Sequence, residues 1–304
     1  MLVDTHSHLN FKAYDKDRED VIQRTQKEGV VCIDIGTKYE TSKNAIELAE
    51  KYDNIYAAIG MHPIHIKTDL MKLKMDKEEG AFKPLGEEYD VDRYRQLVVE
   101  DRKAECPDKG RTEGPKEPKR RRIVAIGEIG LDHYYRPKTK TKQEQFKEKQ
   151  KQVFIQQLEL AEELNLSVII HCRSAFDDLY EILKTRKLKG VVHCFSGNWE
   201  EAQKYLDLGF YIGINGIIYK LDLKEVIEKT PLEKILLETD CPYLTPLPAV
   251  ALAKAGPEGY ARNEPIFVKY IAKTIAEIKK ISFEQVAEIT TANAMRLFRL
   301  DQSR

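Results

Sequence analysis

The sequence carries no surplus charge of either sign. Its 50 basic residues match 50 acidic ones, so nothing global marks a nucleic-acid binder. No apolar run approaches the ~20 residues of a membrane span, and no membrane association is expected. The opening MLVDTHSHLN lacks a basic n-region and an apolar h-region, which argues against secretion. The five cysteines (Cys32, Cys106, Cys172, Cys194, Cys241) are odd in number and form no C-x-x-C pair. This speaks against a disulfide framework and against a zinc ribbon. A reducing compartment is expected, the cytoplasm, or the nucleus if the cell is eukaryotic. No G-x-G-x-x-G follows the first apolar run, which disfavours a dinucleotide crevice.

What is present is a repeated alternation. Short apolar runs at Leu2–Thr5, Val30–Ile35, Ile55–Ile59, Ile123–Gly127, Val168–His171, Val191–Cys194, Phe210–Ile214 and Ile235–Glu238 read as strands buried on both faces. Between them, Glu19–Glu28, Ser42–Lys51, Gln143–Leu164, Ala175–Lys184, Trp199–Leu208 and Leu223–Lys229 show helical periodicity. Helices are also expected near Ile266–Lys279, Phe283–Glu288 and Asn293–Phe298. Strand–helix alternation with eight strands predicts an α/β chain folded as one (β/α)8 TIM barrel over residues 1–304, with an open doubly wound sheet as the alternative.

A charged loop insertion between strands three and four, at about 68–122, interrupts the rhythm. Met71–Gly86 is rich in Lys and Glu, Val91–Ala104 reads as a helix, and Cys106–Arg122 ends in Lys119-Arg120-Arg121-Arg122. Such a stretch reads first as a solvated loop, and second as a grip on nucleic acid.

The chemistry gathers at strand ends. His6 and His8 form an H-x-H after strand one, where residues two apart in an extended segment point the same way. Glu128, His171, His193 and Asp240 follow at or near the ends of strands four, five, six and eight. All carboxyl ends of a closed barrel open on one face. Four imidazoles and two carboxylates around one cavity suit divalent ions, and six ligands suit two of them. Glu128 is the natural bridge, because a carboxylate has two oxygens and an imidazole offers a metal one lone pair. Two such ions could activate water and clamp a phosphodiester. Cys172, Cys194 and Cys241 adjoin these residues and read as small packed hydrophobes on the opposite face rather than as thiolate ligands.

The ordered motifs D-T-H-S-H (Asp4–His8), G-M-H-P (Gly60–Pro63), G-E-I-G-L-D (Gly127–Asp132), I-H-C-R (Ile170–Arg173), H-C-F-S-G (His193–Gly197), E-T-D-C-P-Y-L (Glu238–Leu244) and R-N-E-P (Arg262–Pro265) resemble those of TatD metal-dependent deoxyribonucleases. The resemblance runs from Met1 to about Leu300, outside the insertion. It implies an amidohydrolase-type barrel with His6, His8, Glu128 and Asp240 on one metal, and Glu128, His171 and His193 on the second. It further implies phosphodiester hydrolysis, 3′–5′ exonuclease action on DNA, and Mg²⁺ or Mn²⁺ as working ions. His-rich sites also hold Zn²⁺. Asp240 would accept the proton of the attacking water. RNA is a second polymer to consider. The alternative is hydrolysis of an ester or amide, including D-aminoacyl-tRNA deacylation. In related amidohydrolases of that kind a carboxylated lysine often bridges the metals on strand four, where this chain has Glu128. The family usually sets a second histidine directly after the G-x-H-P proline; here Ile64 stands there, and His65 comes one later.

Three further residues are expected to meet substrate: His62, Arg173 and Arg262. Each has a structural reading beside the binding one. His62 could donate to phosphate or cap the loop at Pro63. Arg173 could grip phosphate or pair with Asp132 or Glu238. Arg262 could dock the C-terminal tail, with a helix starting at Pro265. His133, Tyr134 and Tyr135 could stack on a base or pack into their own loop.

Overall fold

The computed structural model describes residues 1–71, 76–80, 86–105, 120–246 and 262–300. Eight strands, β1 (Leu2–Ser7), β2 (Val30–Ile35), β3 (Ile55–Ile59), β4 (Ile123–Asp132), β5 (Ser167–Arg173), β6 (Gly190–Val192), β7 (Tyr211–Ile214) and β8 (Ile235–Leu237), form one sheet in sequence order. Every neighbouring pair is parallel. The ring closes between its two ends. Ser7 and Cys241 form a parallel bridge, the Asp240 N–H donates to the His6 carbonyl (2.8 Å), and the His8 N–H donates to the Cys241 carbonyl (2.9 Å). The fold is a (β/α)8 TIM barrel.

The helices are α1 (Arg18–Lys27), α2 (Tyr39–Lys51), α3 (Val91–Glu105), α4 (Lys140–Leu164), α5 (Phe176–Leu183), α6 (Trp199–Asp207), α7 (Lys224–Lys229), α8 (Val268–Lys279) and α9 (Phe283–Phe298). Local chemistry fixes several of their starts. Asn198 and Glu201 form a reciprocal capping box at α6, as do Ser282 and Gln285 at α9.

Strand alternation separates two cores. On β5, Val168, Ile170 and Cys172 face the outer layer, where Phe154, Leu158 and Leu179 of the helices pack. Ile169, between them, faces inward with Val3, Ile33, Val191 and Leu236. Leu297 and Phe298 of α9 join this inner cluster and close the amino end of the barrel.

Three sequence expectations need correction. Strands β1, β4 and β5 run further than their apolar runs, so Glu128 lies inside β4 rather than at its end, beside a register shift between Ile126 and Ile129. The segments Phe283–Glu288 and Asn293–Phe298 are one helix. The intervening Thr290 lies within this continuous helix, its hydroxyl donating back to the Val286 carbonyl (2.7 Å).

The described part of the insertion is also less solvated than its composition suggests. Helix α3 is the crossover of the third βα unit, and Tyr94, Leu97 and Val98 are buried in the outer core. Arg122, from the basic run, pairs with Asp101 (3.5 Å) and Glu50 (3.3 Å), and Arg120 lies 4.3 Å over the Tyr56 ring. Cys106, Lys119 and the Pro- and Gly-rich stretch between them lie outside the described residues.

Candidate metal centre

Inward-facing positions one step beyond the apolar layer place the polar groups. His171 follows Ile169 by two on β5, and His193 follows Val191 by two past β6. His6, His8, Glu128, His171, His193 and Asp240 all meet at the carboxyl mouth, and all but the fully buried His6 line a cavity of about 330 Å³.

The two oxygens of Glu128 face different partners. Oε2 lies 3.4 Å from His6 Nε2 and 3.9 Å from His8 Nε2. Oε1 lies 2.9 Å from His193 Nε2, 2.9 Å from His171 Nδ1 and 3.4 Å from His62 Nε2. Asp240 Oδ1 completes the first side, 3.7 Å from His6 Nε2 and 3.5 Å from His8 Nε2. The Nε2 atoms of His6 and His8 face each other at 3.2 Å. Two donors each ~2.1 Å from a common ion lie about 3.0 Å apart at a right angle and about 3.4 Å apart at the tetrahedral angle. The residues present therefore fit a divalent ion. Among the described residues, the sets able to hold one are His6–His8–Asp240, His62–Glu128–His171 and His6–His193–Glu238, and none includes a thiol.

Outer partners fix the rings. His8 Nδ1 lies 3.0 Å from the Ile35 carbonyl, and His193 Nδ1 lies 3.4 Å from Glu238 Oε1. Glu238 is buried, held by the Cys194 N–H (2.6 Å) and by Asn215 Nδ2 (3.1 Å). Gly213 makes room for it, since a Cβ there would lie 2.4 Å from Glu238 Oε2. The far nitrogen of His171, Nε2, lies 3.3 Å from Asp132 Oδ2.

Burial opposes charge throughout this cluster, and pairing decides where charge survives. Burial raises the Glu128 pKa, but the surrounding imidazoles and the hydrogen bond from His171 outweigh it and hold the carboxyl well below its usual range. Asp240 is likewise lowered against its burial, by the hydrogen bond from His8 and the nearby imidazoles. Burial lowers His6, and lowers His62 further, so both favour the neutral form that metals bind. His193 is raised well above its usual value, because Glu128 and Glu238 outweigh its burial.

The three expected substrate contacts separate. His62 lines the cavity, and its Nδ1 accepts the Ile64 N–H (3.1 Å), so a neutral ring carries its proton on Nε2, toward Glu128. Arg173 also lines the cavity and pairs with Asp132 (Nη2 to Oδ2, 2.9 Å). Arg262 does not line it. Its guanidinium reaches Asp17 at 2.8 and 2.6 Å and lies 4.2 Å over Tyr14, docking the tail on α1. Asn263 ties down the loop after β8 through the Thr239 and Tyr243 carbonyls, at 2.9 and 2.6 Å.

The cysteines divide as well. Cys172 and Cys241 are buried in apolar clusters. Cys172 touches the cavity lining from that outer cluster, whereas Cys194 is the less buried of the two, and its left-handed backbone (φ 45°) breaks the alternation and turns it to the cavity.

Sequence reasoning missed the turn 76–80. Glu79, only 6% exposed, lies 2.8 Å from His65 Nε2 and 3.1 Å from Lys38 Nζ, and accepts from Thr37 Oγ1 (2.6 Å). Asp76 accepts from the Tyr243 hydroxyl (2.7 Å). The displaced His65 thus has a partner that only the insertion supplies. Nothing in a Lys/Glu-rich stretch distinguishes one carboxylate from its neighbours.

Eight parallel strands with imidazoles and carboxylates converging at their carboxyl mouth define a barrel hydrolase of the metal-dependent kind. The chain belongs to the TatD family: the profile of TatD related DNases matches residues 3–299. The "uncharacterized metal-dependent hydrolase YabD" of Bacillus subtilis is 36% identical over 99% of this chain and 100% of its own length. The human "deoxyribonuclease TATDN3" is 31% identical over 98% of this chain and 94% of its own. Among solved structures, the TatD homolog YJJV of Escherichia coli superposes with a TM-score of 0.74 at 27% identity, covering 99% of this chain and 98% of that one. Among the described residues, no helix is long and apolar enough to cross a membrane.

Proposed function

We propose that this chain is a single catalytic unit hydrolysing phosphodiester bonds of DNA, working from the 3′ end. The observation that carries this reading is the division of Glu128, whose two oxygens face two separate groups of ligands. His6, His8, Asp240 and Glu128 would hold one ion, and Glu128, His171 and His193 the other. Mg²⁺ or Mn²⁺ are the working ions, and the imidazole-rich set also accepts Zn²⁺. Such ions supply Lewis-acid charge and lower the pKa of water.

The remaining work falls to side chains. The Asp240 side chain is 16% exposed against 5% for Glu128, so it is the carboxylate open to the cavity and takes the proton of the attacking water. His62 keeps its proton on Nε2 as long as Nδ1 accepts from Ile64, so it serves as a donor to a phosphate oxygen rather than as a ligand. Arg173 sets a cation at the cavity edge.

Protein stripped of metal and re-supplied with single ions tests the reading. Labelled single-stranded DNA, RNA and an ester and lactone panel serve as substrates. Stepwise shortening of DNA from its 3′ end is expected. Turnover of esters with no cleavage of either polymer would overturn it.

A further inference from the structure

Behind the metal centre, the loop leaving β4 presents two tyrosines to a cation. The Arg173 guanidinium carbon lies 4.3 Å from the Tyr134 ring centre and 4.8 Å from that of Tyr135. The rings meet edge to face, with centroids 5.3 Å apart. Asp132 fixes the cation, accepting from Nε at 3.1 Å and from Nη2 at 2.9 Å on one oxygen. The backbone is fixed as well. The His133 N–H donates to the Arg173 carbonyl (2.9 Å), and the Tyr134 N–H donates to Asp132 Oδ1 (2.9 Å). A loop so tethered holds Tyr135 in the cavity lining beside Arg173 and Tyr134 in solvent on the other side of the same guanidinium contact.

Tyr134 is 62% exposed, and among the described residues only Met1 and Leu221 accompany it as exposed large apolar side chains. The Asp132 oxygen that holds Arg173 also lies 3.3 Å from His171 Nε2, so the exposed ring is three contacts from the metal centre, through Arg173, Asp132 and His171.

We propose that Tyr134, Arg173 and Tyr135 form a stacking platform for the base next to the scissile phosphate. This rests on the nuclease reading above. A flat ring backed by a flat cation suits any heteroaromatic base, because each base has a π-face. It selects no particular sequence. Arg173 thereby acts through the stack as well as through its charge.

The test compares two oligonucleotides, one ending in an ordinary nucleotide and one ending in an abasic residue, with the metal-loaded enzyme. The wild type should prefer the base-bearing end. In Tyr134→Ala the ratio of kcat/KM for the two substrates should collapse roughly tenfold, the size expected for one lost base–aromatic stack. Tyr134→Phe should keep the ratio, since stacking needs no hydroxyl. A terminal 2-aminopurine should be quenched on mixing with the wild type and with Tyr134→Phe, and less with Tyr134→Ala. Equal cleavage of both ends by the wild type, or an undiminished ratio in Tyr134→Ala, overturns the platform while the nuclease reading stands. No cleavage of either oligonucleotide overturns the nuclease reading and the platform with it.

Discussion

The two ends of one barrel carry opposite chemistry on the same strands. At the amino end, Val3, Ile33, Ile169, Val191 and Leu236 meet Leu297 and Phe298 in a dry, apolar plug. At the carboxyl end, two or three residues further along, the chain supplies His6, His171, His193 and Glu238, all near the ring of charge around Glu128. The plug gains from burial. The mouth is a cost to folding, because each buried charge or imidazole must be matched by a partner. The difference suggests that stability and activity reside in separate layers, and that substitutions in the two should fail in different ways.

The sharpest contrast comes from Glu128→Gln. Size is kept, and the charge that faces both groups of ligands is removed. Turnover should fall on the order of a thousandfold or more, beyond the roughly 10–100-fold that follows loss of a partner one layer out. Metal content, read by mass spectrometry, should fall with it, while the circular dichroism spectrum stays unchanged. Full activity with two ions still bound would break the two-metal assignment. Ile169→Ala is the mirror experiment. Removing this fully buried side chain should cost about 3 kcal/mol in denaturant unfolding, while the folded fraction keeps its turnover. A variant that kept its stability but lost activity would show that the layers are not separate.

The sequence made the two layers unequally legible. The bounds of β2 and β3 are readable because their apolar runs coincide with the whole strand. Those of β1, β4 and β5 are not, because these strands continue past the apolar run into the polar residues of the mouth. The six metal-ligand candidates stand out because imidazoles and carboxylates are rare at strand ends. Glu79 does not, since it lies far from any strand and its partners Lys38 and His65 come from two other loops. Cys194 escapes the period-two rule through a single left-handed residue, which alternation cannot foresee.

Glu79 offers a smaller test, because it brings a buried charge to the mouth from outside the strands. Burial raises its pKa, but His65, Lys38 and Thr37 outweigh it and bring the carboxyl from 4.5 down to about 2. A carboxyl held below its unfolded value stabilises the fold above about pH 4.5, and that stabilisation fades as the pH falls toward about 2. Glu79→Gln should therefore be less stable than the wild type by roughly 2 kcal/mol at pH 7, with the gap closing as the medium is acidified. Denaturant melts of both proteins at several pH values read this directly. A gap independent of pH would mean that the turn 76–80 docks by shape and hydrogen bonds alone.

The thiols give the smallest expected effect and the finest test of which layer a residue belongs to. Cys172 adjoins His171, yet it sits among outer-layer apolar side chains, and Cys241 adjoins Asp240 in a cluster with Tyr14 and Leu9. Burial pushes both thiols above their usual range, so neither supplies a thiolate at neutral pH. Each change to Ala should leave metal content and turnover in place and cost about 1 kcal/mol through the small cavity left behind. Cys194→Ala should cost less stability, because its sulfur faces the cavity and loses only a long contact to Asn215 Oδ1 (3.5 Å). Melting temperatures and metal content measured on the three single variants resolve the ranking. If Cys172→Ala released metal while His171→Ala kept it, the inward face of β5 would be displaced by one residue. The imidazole would then belong to the outer layer, and the division between plug and mouth would have to be redrawn.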